Sequence, residues 1–142
     1  MKFWDASAIV PLVTVEEASS RAEAWREGDA RMMVWMFTIT EVISALCRKR
    51  RGGLLDDETF RIGKQRLEEL ANVWVEVSSF EVVRERAHRL LEVHSLGAAD
   101  ALQLAAALWT CGEHPNQMEF ATFDSRLKEA AEKEGFHTSS QR

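Results

Sequence analysis

Short apolar runs alternate with longer stretches in which apolar positions recur every three or four residues. The short runs at residues 2–5, 31–37, 73–77 and 118–123 read as strands, the second of them rich in Val, Met and Trp. Residues 6–13, 16–27, 38–51, 56–71, 80–93, 98–109 and 125–134 read as helices. Ile39, Val42, Ile43 and Leu46 form one helical stripe, and Phe60, Leu67 and Leu70 another. Gly28-Asp29 is a turn, Gly52-Gly53 ends the helix before it, residues 113–117 with Pro115 form a loop, and residues 136–138 add a short edge strand. Strands separated by helices need crossover connections, so the expected sheet is mainly parallel, with helices on both faces. The pattern predicts an α/β architecture of four or five strands in one domain spanning residues 1–142, because no repeat or Pro/Gly/Ser-rich linker interrupts it. In such sheets ligands bind beyond the carboxyl ends of the strands.

With 142 residues and 46% apolar content, the chain can bury a core without disulfides or structural metals. Met1-Lys2 runs directly into Phe3-Trp4-Asp5 without an apolar leader, and the most apolar stretch, residues 98–109, is about half a bilayer span. A soluble, cytoplasmic protein is expected. Cys47 and Cys111 lack C-x-x-C spacing and read as free thiols. His88, His94, His114 and His137 contain no pair at the i, i+4 spacing of a helical zinc site. A net charge of −5 argues against a purely electrostatic nucleic-acid binder. Arg48-Lys49-Arg50-Arg51 is nevertheless one concentrated basic run. Alone it reads as a solvated helix C-terminus, where cations are favoured.

The acids change the picture. Asp5 ends the first strand and Asp124 the fourth, and each also suits the N-cap of the helix that follows. Asp100 lies in the apolar helix at 98–109, where it and Gln103 are the only strong hydrogen-bonding side chains before Thr110. A buried carboxylate is costly unless paired or metal-bound, although a helix N-terminus can also satisfy it. Glu41 completes a capping box in Thr38-Ile39-Thr40-Glu41, which by itself accounts for that residue. Together, the four acids occupy first turns or strand ends at one rim of the sheet. Clustered carboxylates repel and raise one another's pKa, and they are best held together by a hard divalent cation such as Mg²⁺ or Mn²⁺. That combination suits metal-assisted phosphodiester hydrolysis.

Four segments carry a resemblance: Phe3-Trp4-Asp5-Ala6-Ser7-Ala8, Thr40-Glu41-Val42-Ile43-Ser44-Ala45-Leu46, Ala99-Asp100-Ala101-Leu102-Gln103-Leu104-Ala105 and Thr122-Phe123-Asp124-Ser125-Arg126-Leu127. In this order and spacing, along essentially the whole chain, they resemble the PIN-domain family and, within it, the VapC-like toxins. The resemblance implies a three-layer α/β/α fold around a parallel sheet. It assigns the catalytic acidic pocket to Asp5, Glu41, Asp100 and Asp124, with Asp5, Asp100 and Asp124 as ligands of Mg²⁺ or Mn²⁺. Ser7 and Thr122 match hydroxyl positions that orient carboxylates or water. Gln103 stands where many relatives carry His or an apolar residue, which alters the surroundings of the ligands. The implied activity is endonucleolytic hydrolysis of RNA by metal-activated water, leaving a 5′-phosphate and a 3′-hydroxyl. The implied partners are a second copy, as a homodimer, and a cognate antitoxin.

On that reading Arg48, Lys49, Arg50 and Arg51 contact RNA phosphates, while Trp4 and Trp35 either stack on bases or pack in the core. Rival readings remain at this point. Asp5-Ala6-Ser7 loosely resembles the start of a haloacid-dehalogenase phosphatase, but Ser7 stands where the second acid belongs. A catalytically silent PIN-like module that binds RNA or protein, and an RNA-processing nuclease without an antitoxin, are the others.

Overall fold

β1 (Lys2–Trp4) lies at the centre of the sheet in a computed structural model that describes residues 1–112 and 114–139. The chain continues through α1 (Ala6–Val13), α2 (Ser19–Gly28), β2 (Met32–Trp35), α3 (Thr38–Arg51), α4 (Asp57–Ala71), β3 (Val75–Val77), α5 (Phe80–Val93) and α6 (Ala98–Cys111). A 3₁₀ turn (Pro115–Gln117), β4 (Glu119–Ala121), α7 (Ser125–Lys133) and β5 (His137–Thr138) follow. The strand order is β3-β2-β1-β4-β5, and every neighbouring pair is parallel. This is the expected three-layer α/β/α arrangement. From β1 the chain winds outward to β3, then crosses back to β4 on the other side. The order therefore reverses between β1 and β4, where a crevice opens at the strands' carboxyl ends.

Adjacent strand residues point to opposite faces. Trp4 and Val34 enter a core with Ile9, Val42, Leu46 and Leu67 beneath α1 to α4. Phe3 and Trp35 enter a second core with Leu90, Leu104, Phe120 and Leu127 beneath α5 to α7. Burial on both faces is why these strands read as apolar runs without alternation. The approach of α4 to α1 is close: a Cβ at Gly63 would lie 3.1 Å from the Val13 carbonyl oxygen.

Differences from the sequence reading lie at element ends. The helix expected from residue 16 begins at Ser19, because Ser19 Oγ accepts the Glu16 amide and donates to the Thr14 carbonyl, holding a turn ahead of it. The second strand stops at Trp35, and Met36 and Phe37 turn into α3. The loop expected at 113–117 contains a 3₁₀ turn; residue 113 lies outside the described residues. Cys47 and Cys111 are free thiols, as expected. Among the described residues no helix is long and apolar enough to cross a membrane.

Candidate active site

Asp5 and Asp124 follow β1 and β4, whose pairing sets Trp4 beside Ala121 and so brings both acids to the switch point. Both also cap helices. Asp5 Oδ2 accepts the Ser7 amide at 3.3 Å, and Asp124 Oδ1 accepts the amides of Arg126 and Leu127 at 2.9 and 3.0 Å. The capping reading therefore holds for both side chains, and both also line the cavity described below.

Asp5 is 3% exposed. Its Oδ2 also accepts hydrogen bonds from the hydroxyls of Ser7 and Thr122, the latter at 2.8 Å, so every one of these donors lies on Oδ2 and none on Oδ1. The two hydroxyls lie 3.1 Å apart and tie the β4–α7 loop to α1: Ser7 Oγ accepts the Phe123 amide and Thr122 Oγ1 the Asp124 amide, each at 3.0 Å. Burial pushes the Asp5 carboxyl above its ordinary range, the hydroxyls oppose this, and the charge of Asp124 adds to it.

Glu41 and Asp100 approach from α3 and α6. The capping box does not form: α3 is preceded by Phe37 without a side-chain cap, Thr38 lies inside the helix, and Glu41 does not turn back. Both side chains instead meet Gln103, which is fully buried. Thr38 Oγ1 donates to Gln103 Oε1, and Gln103 Nε2 donates to Glu41 Oε1, each at 3.1 Å. Burial, followed by the charge of Asp5, lifts the Glu41 carboxyl to about 7. Asp100 receives no cap-type hydrogen bond at the start of α6. Burial first, then the charges of Asp5 and Asp124, raise it to about 6.

The four acids line one cavity of about 520 Å³, together with Ser7, Phe37, Ser44 and Arg48. None of the ion pairs among the described residues involves these carboxylates. As the side chains stand they ring the cavity, and no group of three or more metal-ligating side chains among the described residues closes into a cluster. The donor chemistry nonetheless fits a hard divalent cation: all four groups are carboxylates, without a nitrogen or sulfur ligand among them, and burial with neighbouring charge raises Asp5, Glu41 and Asp100.

The basic run is not one patch. Arg48 lines the cavity and donates to Ser44 Oγ at 3.3 Å. Lys49 pairs with Glu16 at 3.2 Å, and Arg50 lies 3.8 Å over the Phe60 ring and 4.0 Å from Asp57. Arg51 is exposed and does not line the cavity. Base stacking by Trp4 and Trp35 is overturned, since they are 0% and 1% exposed in the two cores. Phe37 is the residue that the strand pattern conceals. It ends an apolar run, yet it turns into the cavity wall half exposed. Its position four residues before Glu41, on the same helical face, is the signal that could have found it.

Comparison with known proteins agrees with this fold. The PIN domain model matches residues 2–133. Ribonuclease VapC45 and ribonuclease VapC49 of Mycobacterium tuberculosis are each 31% identical over 106 residues, which cover 75% of this chain and 74% of the relative. FitAcB from Neisseria gonorrhoeae superposes with a TM-score of 0.67 at 17% identity, over 99% of this chain and 97% of that one. PAE2754 from Pyrobaculum aerophilum gives 0.66 at 17% identity, over 97% and 88%. The chain belongs to the PIN-domain family. Within it, the chain falls among the VapC-like toxins of toxin–antitoxin systems.

Proposed function

We propose that the protein is a Mg²⁺- or Mn²⁺-dependent endoribonuclease, the cytoplasmic toxin of a toxin–antitoxin pair. The observation that carries this reading is that four carboxylates, without ion-pair partners among the described residues, line one cavity at the switch point of the sheet. Asp5, Asp100 and Asp124 would hold the cation, with Glu41 completing its surroundings directly or through water. A bound cation supplies Lewis-acid activation of water and neutralises charge developing on the phosphate. Ser7 and Thr122 hold Asp5 by one oxygen, leaving Oδ1 available as a ligand. Gln103 holds Glu41 by Oε1, so Oε2 is available to take a proton from water. No side-chain nucleophile is required.

RNA is the substrate that the VapC relatives' names support. The carboxylates of the cavity, without ion-pair partners among the described residues, also suit a basic antitoxin segment, since an Arg pairs bidentately with carboxylates. The homodimer belongs to the same family reading, and light scattering of the purified chain tests it.

The decisive experiment is cleavage of a mixed RNA pool in magnesium, manganese or chelator, with Asp5→Asn and Asp100→Asn alongside. Asn keeps the shape and removes the charge. Metal-dependent cutting by the wild type alone supports the reading, and sequencing the cut ends identifies the target. Equal cutting by all three proteins sinks it. So does a wild type that neither cuts nor binds manganese, which leaves a silent binding module.

A further inference from the structure

The aromatic ring that faces the cavity is Phe37, 50% exposed, held edge-on to buried Trp35 with ring centroids 5.7 Å apart. From Phe37, the cavity face of α3 continues through Glu41 and Ser44 to Arg48, all of which line the same cavity. At about 1.5 Å per residue, Arg48 lies roughly 10 Å beyond Glu41 along the axis, and Phe37 roughly 6 Å before it. Arg48 makes no ion pair among the described residues, whereas its neighbours Lys49 and Arg50 do. One helix face thus presents, in line, an open aromatic ring, a carboxylate and an unneutralised guanidinium.

We infer that this face of α3 is the substrate groove for single-stranded RNA: an unstacked base rests on Phe37, the scissile phosphate lies at the carboxylates, and a further phosphate towards the C-terminal end of α3 is held by Arg48. The inference rests on the ribonuclease reading above. Every base has a π-face, so Phe37 contributes affinity without choosing sequence. A base inside a duplex cannot reach a side chain this way, so the groove selects single-stranded or looped RNA. Arg48 contributes through counterion release and through its fork of donors to phosphate oxygens.

The test is steady-state cleavage of a short fluorogenic RNA built around a cut site mapped from the pool. Phe37→Ala is expected to raise KM about tenfold with kcat changed by less than about twofold, and Phe37→Trp to restore KM. Phe37→Leu still covers Trp35 and should behave like Phe37→Ala, which separates stacking from packing. Replacing nucleotides one at a time by abasic residues should find one position that raises KM equally and adds nothing to Phe37→Ala. Arg48→Ala should raise KM and lower the salt dependence of kcat/KM by about one charge, with Arg48→Lys keeping it. Arg84→Ala, on α5 under the opposite face of the sheet, should change neither. Manganese affinity should be the same in all these variants, because the carboxylates are untouched. Folded variants of Phe37 or Arg48 with wild-type KM overturn the groove while leaving the ribonuclease reading in place. A wild type without metal-dependent cleavage sinks the ribonuclease reading itself.

Discussion

Thr122 Oγ1 donates to Asp5 Oδ2 over 2.8 Å, across 117 residues of sequence, and accepts the Asp124 amide at 3.0 Å. One hydroxyl thus orients two of the proposed metal ligands. Thr122→Val keeps the shape and leaves both partners short of a hydrogen bond, at a cost of about 1–3 kcal/mol. Manganese affinity should fall about tenfold or more. Urea unfolding and manganese titration check the two effects separately. Lost stability with unchanged metal affinity would reduce Thr122 to a structural latch.

Asp124 combines a helix cap with a cavity carboxylate, and Ser at this position separates the two. Asp124→Ser retains an N-cap acceptor, so stability should stay within a few tenths of a kcal/mol of the wild type, whereas Asp124→Ala should lose about 1 kcal/mol. Both variants should lose metal-dependent cleavage. Cleavage by Asp124→Ser at the wild-type rate would remove Asp124 from the ligand set.

Gln103 reaches the cavity only through Glu41, which makes it a positioning residue. Gln103→Leu fills the same space and frees Glu41 Oε1, so cleavage should fall about tenfold or more. In a Glu41→Gln background the same change should add little, because residues acting through one another are not additive. Equal losses in both backgrounds would mean that Gln103 acts through packing instead.

The carboxylates couple stability to pH. Burial and neighbouring charges raise Asp100 from 3.8 to about 6 and Glu41 from 4.5 to about 7 in the folded protein. Between the ordinary and the raised values the folded state binds more protons than the unfolded state, so stability falls as pH rises. Thermal melts in chelator should show Tm dropping between about pH 4 and 7, and saturating manganese should stabilise most at the upper end, where metal no longer competes with protons. A chelated Tm that climbs across this window would contradict the assignment.

Gly63 offers a check on the scaffold. In an exposed helix, Gly→Ala stabilises by up to about 1 kcal/mol. Here the new Cβ would meet the Val13 carbonyl oxygen at 3.1 Å, and the Leu46 side chain lies at 3.6 Å. The obstruction is backbone at the α1–α4 contact, so Gly63→Ala should lower Tm rather than raise it. A higher Tm would show that the two helices can separate without cost.

The chain's local order was readable because it depends on near neighbours. Helical stripes such as Ile39, Val42, Ile43 and Leu46, the apolar strands and the capping aspartates all express geometry within a turn or a pleat. Crossover rules then made the sheet parallel and brought Asp5 and Asp124 to one edge. What lay beyond reach were choices made between equivalent local candidates. Thr38 and Glu41 satisfy a capping-box pattern, yet both bond to Gln103, 65 and 62 residues away, because the fold brings the first turns of α3 and α6 together at one edge of the sheet and supplies a buried partner. Trp35 and Phe37 sit in one apolar run, but the turn after β2 seals the first and opens the second. Arg48 and Arg50 are both cations at one helix end, and only the tertiary position of Phe60 and of the cavity separates them. The sequence by itself determined the elements, their order and the acids available at the rim. Tertiary structure decided which side chains meet across the cavity, because those meetings depend on how whole layers pack and not on spacing along the chain.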